Sequence, residues 1–315
     1  VGHDDDGIRI RDAGSNVAIN NSFAGSVSGH DDGVNIRDVD DDVAITNSFG
    51  GRIAGWRDDG VDVSDVRGDV AVSNNFGGSI AGRDNGVQID HARDNVAISN
   101  AFGGKISGRN GDGINVDSVR DNVAIANVAG EINGGDEGVD VADVGDDLRI
   151  ANLAGGKISG RNGDGIQADD IDGEIAITNG GFSSISGRRD GVRLRDADDD
   201  VLLKNSFGSQ IAGRYDDGID VSNADDDVEI VNQFGSSISG RNNGVQVDDV
   251  RDDVMISNSF GSTISGQRGN GVDVRDGRDD VEIANGFGGD ISGGDNGIEI
   301  QDVRDNVTVT NIAAS

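Results

Sequence analysis

The sequence predicts an all-β chain: a right-handed parallel β-helix of twelve coils, with three short strands and about 26–27 residues in each coil. Three observations carry that expectation. A glycine followed by alternating apolar residues, first met in Gly7-Ile8-Arg9-Ile10, returns at Gly33, Gly60, Gly86, Gly113, Gly138, Gly165, Gly191, Gly218, Gly244, Gly271 and Gly297, with spacings of 25 to 27 residues. Inside each repeat the apolar residues alternate in short runs and never adopt helical spacing. One column, fourteen residues after the glycine, is asparagine in all twelve repeats. A chain made wholly of one supersecondary unit stacks as a quasi-one-dimensional solenoid. Residues 1–315 therefore read as a single elongated domain, where length alone would suggest about two compact ones.

The repeat Gly33–Asp59 serves as the type, with the glycine counted as position 0. Val34 and Ile36 alternate with Asn35 and Arg37 and make the first strand. Val43 and Ile45 alternate with Ala44 and Thr46 and make the second; Ile53, between Arg52 and Ala54, marks the third. Turn-forming residues separate them at 38–42, 47–51 and 55–59. Each strand then pairs with its counterpart one repeat later, and parallel connections of this kind are almost always right-handed. At about 4.8 Å per coil the rod is about 57 Å long. Proline is absent, which suits a chain whose N–H groups are all needed in a ladder.

Two columns suggest what fills the coil. Asparagines at position 14 (Asn21, Asn47, Asn74 and onward to Asn311) stack at the coil spacing, so each amide donates to one neighbour and accepts from the other. All nine phenylalanines follow this asparagine by two or three residues, from Phe23 to Phe287, and are replaced by Ala129 and Ala154 in two repeats. They are expected to fill one corner of the solenoid as a stacked column. A surface stripe for sugar stacking is the alternative; Trp56 and Tyr215, isolated in another turn, add nothing to it.

Composition excludes several classes. The chain holds 59 acidic and 26 basic residues, a formal charge of -33, which repels nucleic acids and anionic membrane surfaces. Low apolar content, 34%, would suit disorder, but disorder needs no register and this chain never loses its own. There is no cysteine for disulfides or thiolate metal sites, and no apolar run long enough to insert in a membrane.

The run from Asn258 to Gly266, Asn–small–Phe then x-Ile-Ser/Ala-Gly, followed by Gly-Val/Ile-x-Val, resembles the β-helical repeats of bacterial autotransporter and filamentous-haemagglutinin-type adhesin passengers. The resemblance covers the whole chain. It implies secretion and a stalk or adhesive role at a cell surface, with a host or cell-surface ligand as partner.

Chemistry is sought in the acidic turns. Position 5 is aspartate in nine repeats, and positions 8 and 9 are mostly aspartate. Like charges stacked about 5 Å apart need compensation. Arg67, Arg93, Arg120, Arg251, Arg278 and Arg304 in the same turns offer part of it. Calcium is the second candidate, because it takes six to eight oxygen ligands. The candidate calcium ligands are Asp38, Asp42, Asp249, Asp253, Asp276 and Asp280. Against them stands the plainer reading that aspartate makes Asx turns and caps. The Asn110-Gly111-Asp112-Gly113 and Asn162-Gly163-Asp164-Gly165 turns look like fragments of calcium-binding nonapeptides without their nine-residue recurrence. His3 and His30 are one coil apart and His91 stands in the aspartate column; neither arrangement supplies a third ligand.

No catalytic pair is singled out where carboxylates recur everywhere. The reading is a non-catalytic extracellular structural or adhesive rod, stalk or filament subunit. One alternative is a calcium-dependent secreted or surface-layer repeat protein. Another is a carbohydrate-active β-helix enzyme with its catalytic parts outside this segment. The repeats run to both ends without an atypical capping unit, which suggests a longer array or head-to-tail self-association. A strip of small residues at position 11 (Ala18, Ala44, Ala71, Ala97, Ala124, Ala176) suggests lateral packing, or an ice-binding lattice.

Overall fold

A computed structural model describes residues 5–312, and these form a parallel β-solenoid without a helix among them. A representative coil contains strands Val34–Val39, Val43–Ser48 and Arg52–Gly55. Their counterparts stack into parallel sheets of 12, 12 and 11 strands. The pairing is uniform: Val34 lies on Val61, Val43 on Val70 and Ile53 on Ile80. No connection between strands exceeds five residues. The expected fold, with its three strands per coil and about twelve turns, is therefore present.

The apolar positions read from the sequence form one continuous core. Val34, Ile36, Val43, Ile45 and Ile53 are all 1% exposed or less. Position 6 joins them, as Val39, Val66, Val119 and Ile171, although it breaks the two-residue alternation. The backbone explains the break. Every described position 5 has a positive φ, 56° at Asp38 and 54° at His91, and this left-handed residue returns the next side chain to the interior.

The repeat glycine is required by space and not by φ. A Cβ on Gly33 would lie 2.5 Å from the carbonyl oxygen of Gly60 and 2.7 Å from Cγ2 of Ile53. The third strand crosses so close to the start of the first that only hydrogen fits.

The asparagine column is a buried ladder. Nδ2 of Asn47 donates to Oδ1 of Asn74 at 2.8 Å and to the carbonyl of Ser79 at 3.1 Å, and the pattern repeats along the rod. The amides fill this corner so fully that a Cβ on Gly51 would stand 2.6 Å from Oδ1 of Asn47. This corrects the expectation for phenylalanine. The rings stack, but outside: they are 41% to 81% exposed and fill no part of the interior. Two left-handed residues, Phe49 at 49° and Gly50 at 74°, make the turn and throw the ring outward.

Candidate functional site

Each coil has three corners, and they differ in chemistry. The corner after the first strand carries the acidic turns. The six aspartates proposed as calcium ligands divide into two roles there. Asp38, Asp249 and Asp276 occupy the left-handed position, which asparagine and aspartate tolerate better than other non-glycine residues. Ser118, Asn223 and His91 hold the same position in other coils, so backbone conformation selects the column. Asp42, Asp253 and Asp280 instead cap the next coil, accepting the N–H groups of Asp69, Asp280 and Asn306 at 3.0 Å. Arginines neutralise neighbours across coils: Arg67 on Asp40 at 2.7 Å, Arg278 on Asp249 at 3.5 Å, and Arg251 on Asp225. Asp199, Asp200 and Asp226 bring three carboxylates within 4.8 Å in the same corner. His3 lies outside the described residues.

The corner before the repeat glycine holds a second carboxylate column, which the sequence reading passed over. Asp32, Asp59, Asp112, Glu137, Asp164, Asp190 and Asp217 are 0% to 7% exposed. Most of them hold the next coil by its backbone: the N–H of Asp59 donates to Asp32 Oδ1 at 2.9 Å, that of Asn85 to Asp59 Oδ1 at 2.6 Å, and that of Asp190 to Asp164 Oδ1 at 2.8 Å, whereas Glu137 is bonded by Arg189. The signal was present, since this position is aspartate, asparagine or glutamate in all twelve repeats.

Burial dominates the acidity of five members of this column. Loss of hydration pushes Asp59 and Asp190 up to about 8, Asp217 and Glu137 to about 7, and Asp32 to about 6, against partial relief from the Asn35 amide donating to Asp32 and from next-coil backbone N–H groups donating to Asp32, Asp59, Asp190 and Asp217. Arginine enters the column in places, with Arg189 on Glu137 at 2.7 Å and Arg193 on Asp164 at 3.6 Å. Around Asp32, Asp58 and Asp59, whose oxygens come within 4.8 Å, Asn35 donates to Asp32 at 2.7 Å and to Asp62 at 2.9 Å. Its own Oδ1 is buried without a partner. On the outside of this corner the Tyr215 ring lies between the guanidinium groups of Arg188, Arg214 and Arg241, 5.3 to 5.6 Å from its centroid.

The third corner, between the ladder asparagine and the third strand, carries no charged residue in any coil. Here Phe23, Phe49, Phe76 and Phe102 stack with centroids 4.9 to 5.3 Å apart and planes within 10°. Phe207, Phe234, Phe260 and Phe287 form a second stack, 4.9 to 5.1 Å apart and within 14°. A sugar stacks on an aromatic face, and within these columns the faces already cover one another. Phe182 alone stacks on no other ring, so along the two columns no continuous open face remains, which disfavours a carbohydrate platform. The neighbouring alanine strip is exposed at Ala18, Ala44, Ala97 and Ala124, half-buried at Ala71 and Ala176, and interrupted by Arg149.

Comparison of the chain with protein-family models, with curated proteins and with solved structures finds no match.

Proposed function

We propose that this chain is a non-catalytic structural or adhesive rod, a stalk or filament subunit displayed outside a bacterial cell. The uniform coil is the observation that carries the reading: connections of at most five residues offer no long loop to wall a cleft among the described residues. The repeat's resemblance to adhesin passengers supports the location, and the charge of -33 keeps such a rod soluble and apart from nucleic acid. The test is electron microscopy of native cells with antibody raised against the chain. Label on surface rods or fibres is the expected result; label confined to the cell interior would overturn the reading, as would release of sugars from polysaccharide by the purified chain.

A calcium-dependent variant of this rod is favoured by one observation, the buried oxygen of Asn35 beside Asp32, Asp58 and Asp59. Calcium would gather these carboxylates and stiffen the stack. A melting temperature that is the same in calcium and in chelator would remove this reading and leave the first intact.

A further inference from the structure

Phenylalanine is a poor choice for the backbone it occupies in the third corner. Eight of the rings sit at the first left-handed position of the turn, where glycine or asparagine would serve with less strain, and Phe182 sits one residue later at φ 63°. The rings also remain in water. At about 200 Å² per phenylalanine, the nine residues together leave on the order of 1,000 Å² exposed, ring and turn backbone included. Ordinary stable interfaces bury about 800 Å² per partner, and monomers rarely expose contiguous apolar patches above a few hundred Å².

Two features identify what covers this ridge. Its period, 4.9 to 5.3 Å between centroids, is set by the coil, and a second copy of this chain carries the same period automatically. The corner is also uncharged along its whole length on a chain of charge -33, so two copies meet least repulsion along this edge.

The order of the rings sets the orientation. Two stacks of equal length, Phe23 to Phe102 and Phe207 to Phe287, flank a gap at Ala129 and Ala154. Phe182 stands alone beside that gap, 81% exposed. We propose that two copies pair antiparallel along this edge about a two-fold axis at the coil of Ala154. Each first stack then lies against the partner copy's second stack, with Phe182 entering the partner copy's gap at Ala129. A two-fold contact needs such a self-complementary patch. Parallel pairing would instead set both alanines against themselves and leave a hole. The inference rests on the structural-rod reading and supplies its partner.

The test uses the intact chain by sedimentation in about 0.5 M salt, where the screening length is about 4 Å. The expected species has twice the chain mass of 32.4 kDa. Phe49→Asn with Phe260→Asn, a pair of facing rings, is expected to raise the dimer dissociation constant at least tenfold with unchanged circular dichroism. Because the chain has no cysteine, cross-linking reads the orientation. Asn75→Cys is expected to form a disulfide with Gln233→Cys of the second copy, and neither variant with itself. A monomer at every concentration overturns the pairing, and self-cross-linking of Asn75→Cys overturns its antiparallel sense. Small-angle scattering on the same samples separates the two ideas. An elongated monomer refutes only the pairing, whereas a compact particle refutes the rod.

Discussion

Single residues in this rod fall under two different constraints that the same amino acid conceals. Gly138 and Gly155 both interrupt a coil, but for opposite reasons. A Cβ at Gly138 would lie 2.5 Å from the Gly165 carbonyl oxygen, whereas a Cβ at Gly155 would meet nothing within 4 Å and only its φ of +80° selects glycine. Gly138→Ala is expected to cost about 3 kcal/mol by overpacking. Gly155→Ala is expected to cost about 1 kcal/mol through φ alone. Denaturant titration of the two variants checks the order; equal losses would contradict it. The first constraint was legible as an invariant repeat glycine, because close approach leaves no substitute. The outward ring of Phe49 was not legible. A phenylalanine next to a polar ladder reads as core until two successive left-handed residues are known to reverse its direction.

At the scale of the element, polar ladders do work that the apolar core leaves undone. Asn152 accepts from Asn127 at 2.8 Å and donates to Asn179 at 2.9 Å and to the carbonyl of Ser184 at 3.0 Å. Asn152→Ala leaves these buried groups unpaired and is expected to cost about 3 kcal/mol. Faster amide exchange confined to the adjoining coils is the accompanying signature. The buried carboxyl ladder acts through protons. Asp59, faced by Asp58, Asp32 and Asp62, is raised from 3.8 to about 8, and Asp190 likewise. The folded rod therefore holds protons that the unfolded chain releases. Their stabilisation is complete below about pH 4, the carboxyl value of the unfolded chain, and is lost as pH rises towards 8. In chelator, the melting temperature is expected to fall from pH 5 to pH 8, and Asp59→Asn to flatten that fall. Asparagine is already present at the equivalent Asn85, so the substitution suits the fold. This ladder was readable as a column of Asp, Asn and Glu, whereas its burial was not, since acidic turn residues are ordinarily solvated.

The whole molecule is governed by repetition. Strand count, register and the Asn ladder were all readable because each column samples the same environment twelve times, and errors in one coil are corrected by the others. Function has no such redundancy, which is why the sequence spoke clearly of architecture and faintly of partners. Charge is distributed by corner: acidic turns line the first, buried carboxyls lie beneath arginines at the second, and the third is uncharged. The hydrogen bonds between coils, by contrast, all point along the axis. A chain pulled from its two ends is thus expected to give way by peeling, one coil at a time, while the remaining coils keep their bonding. Each coil set free lengthens the chain by about 90 Å, at about 3.5 Å per residue. Stretching single molecules is expected to give a sawtooth of that step, so the rod would act as a shock absorber of graded extension, and a single abrupt rupture would contradict it.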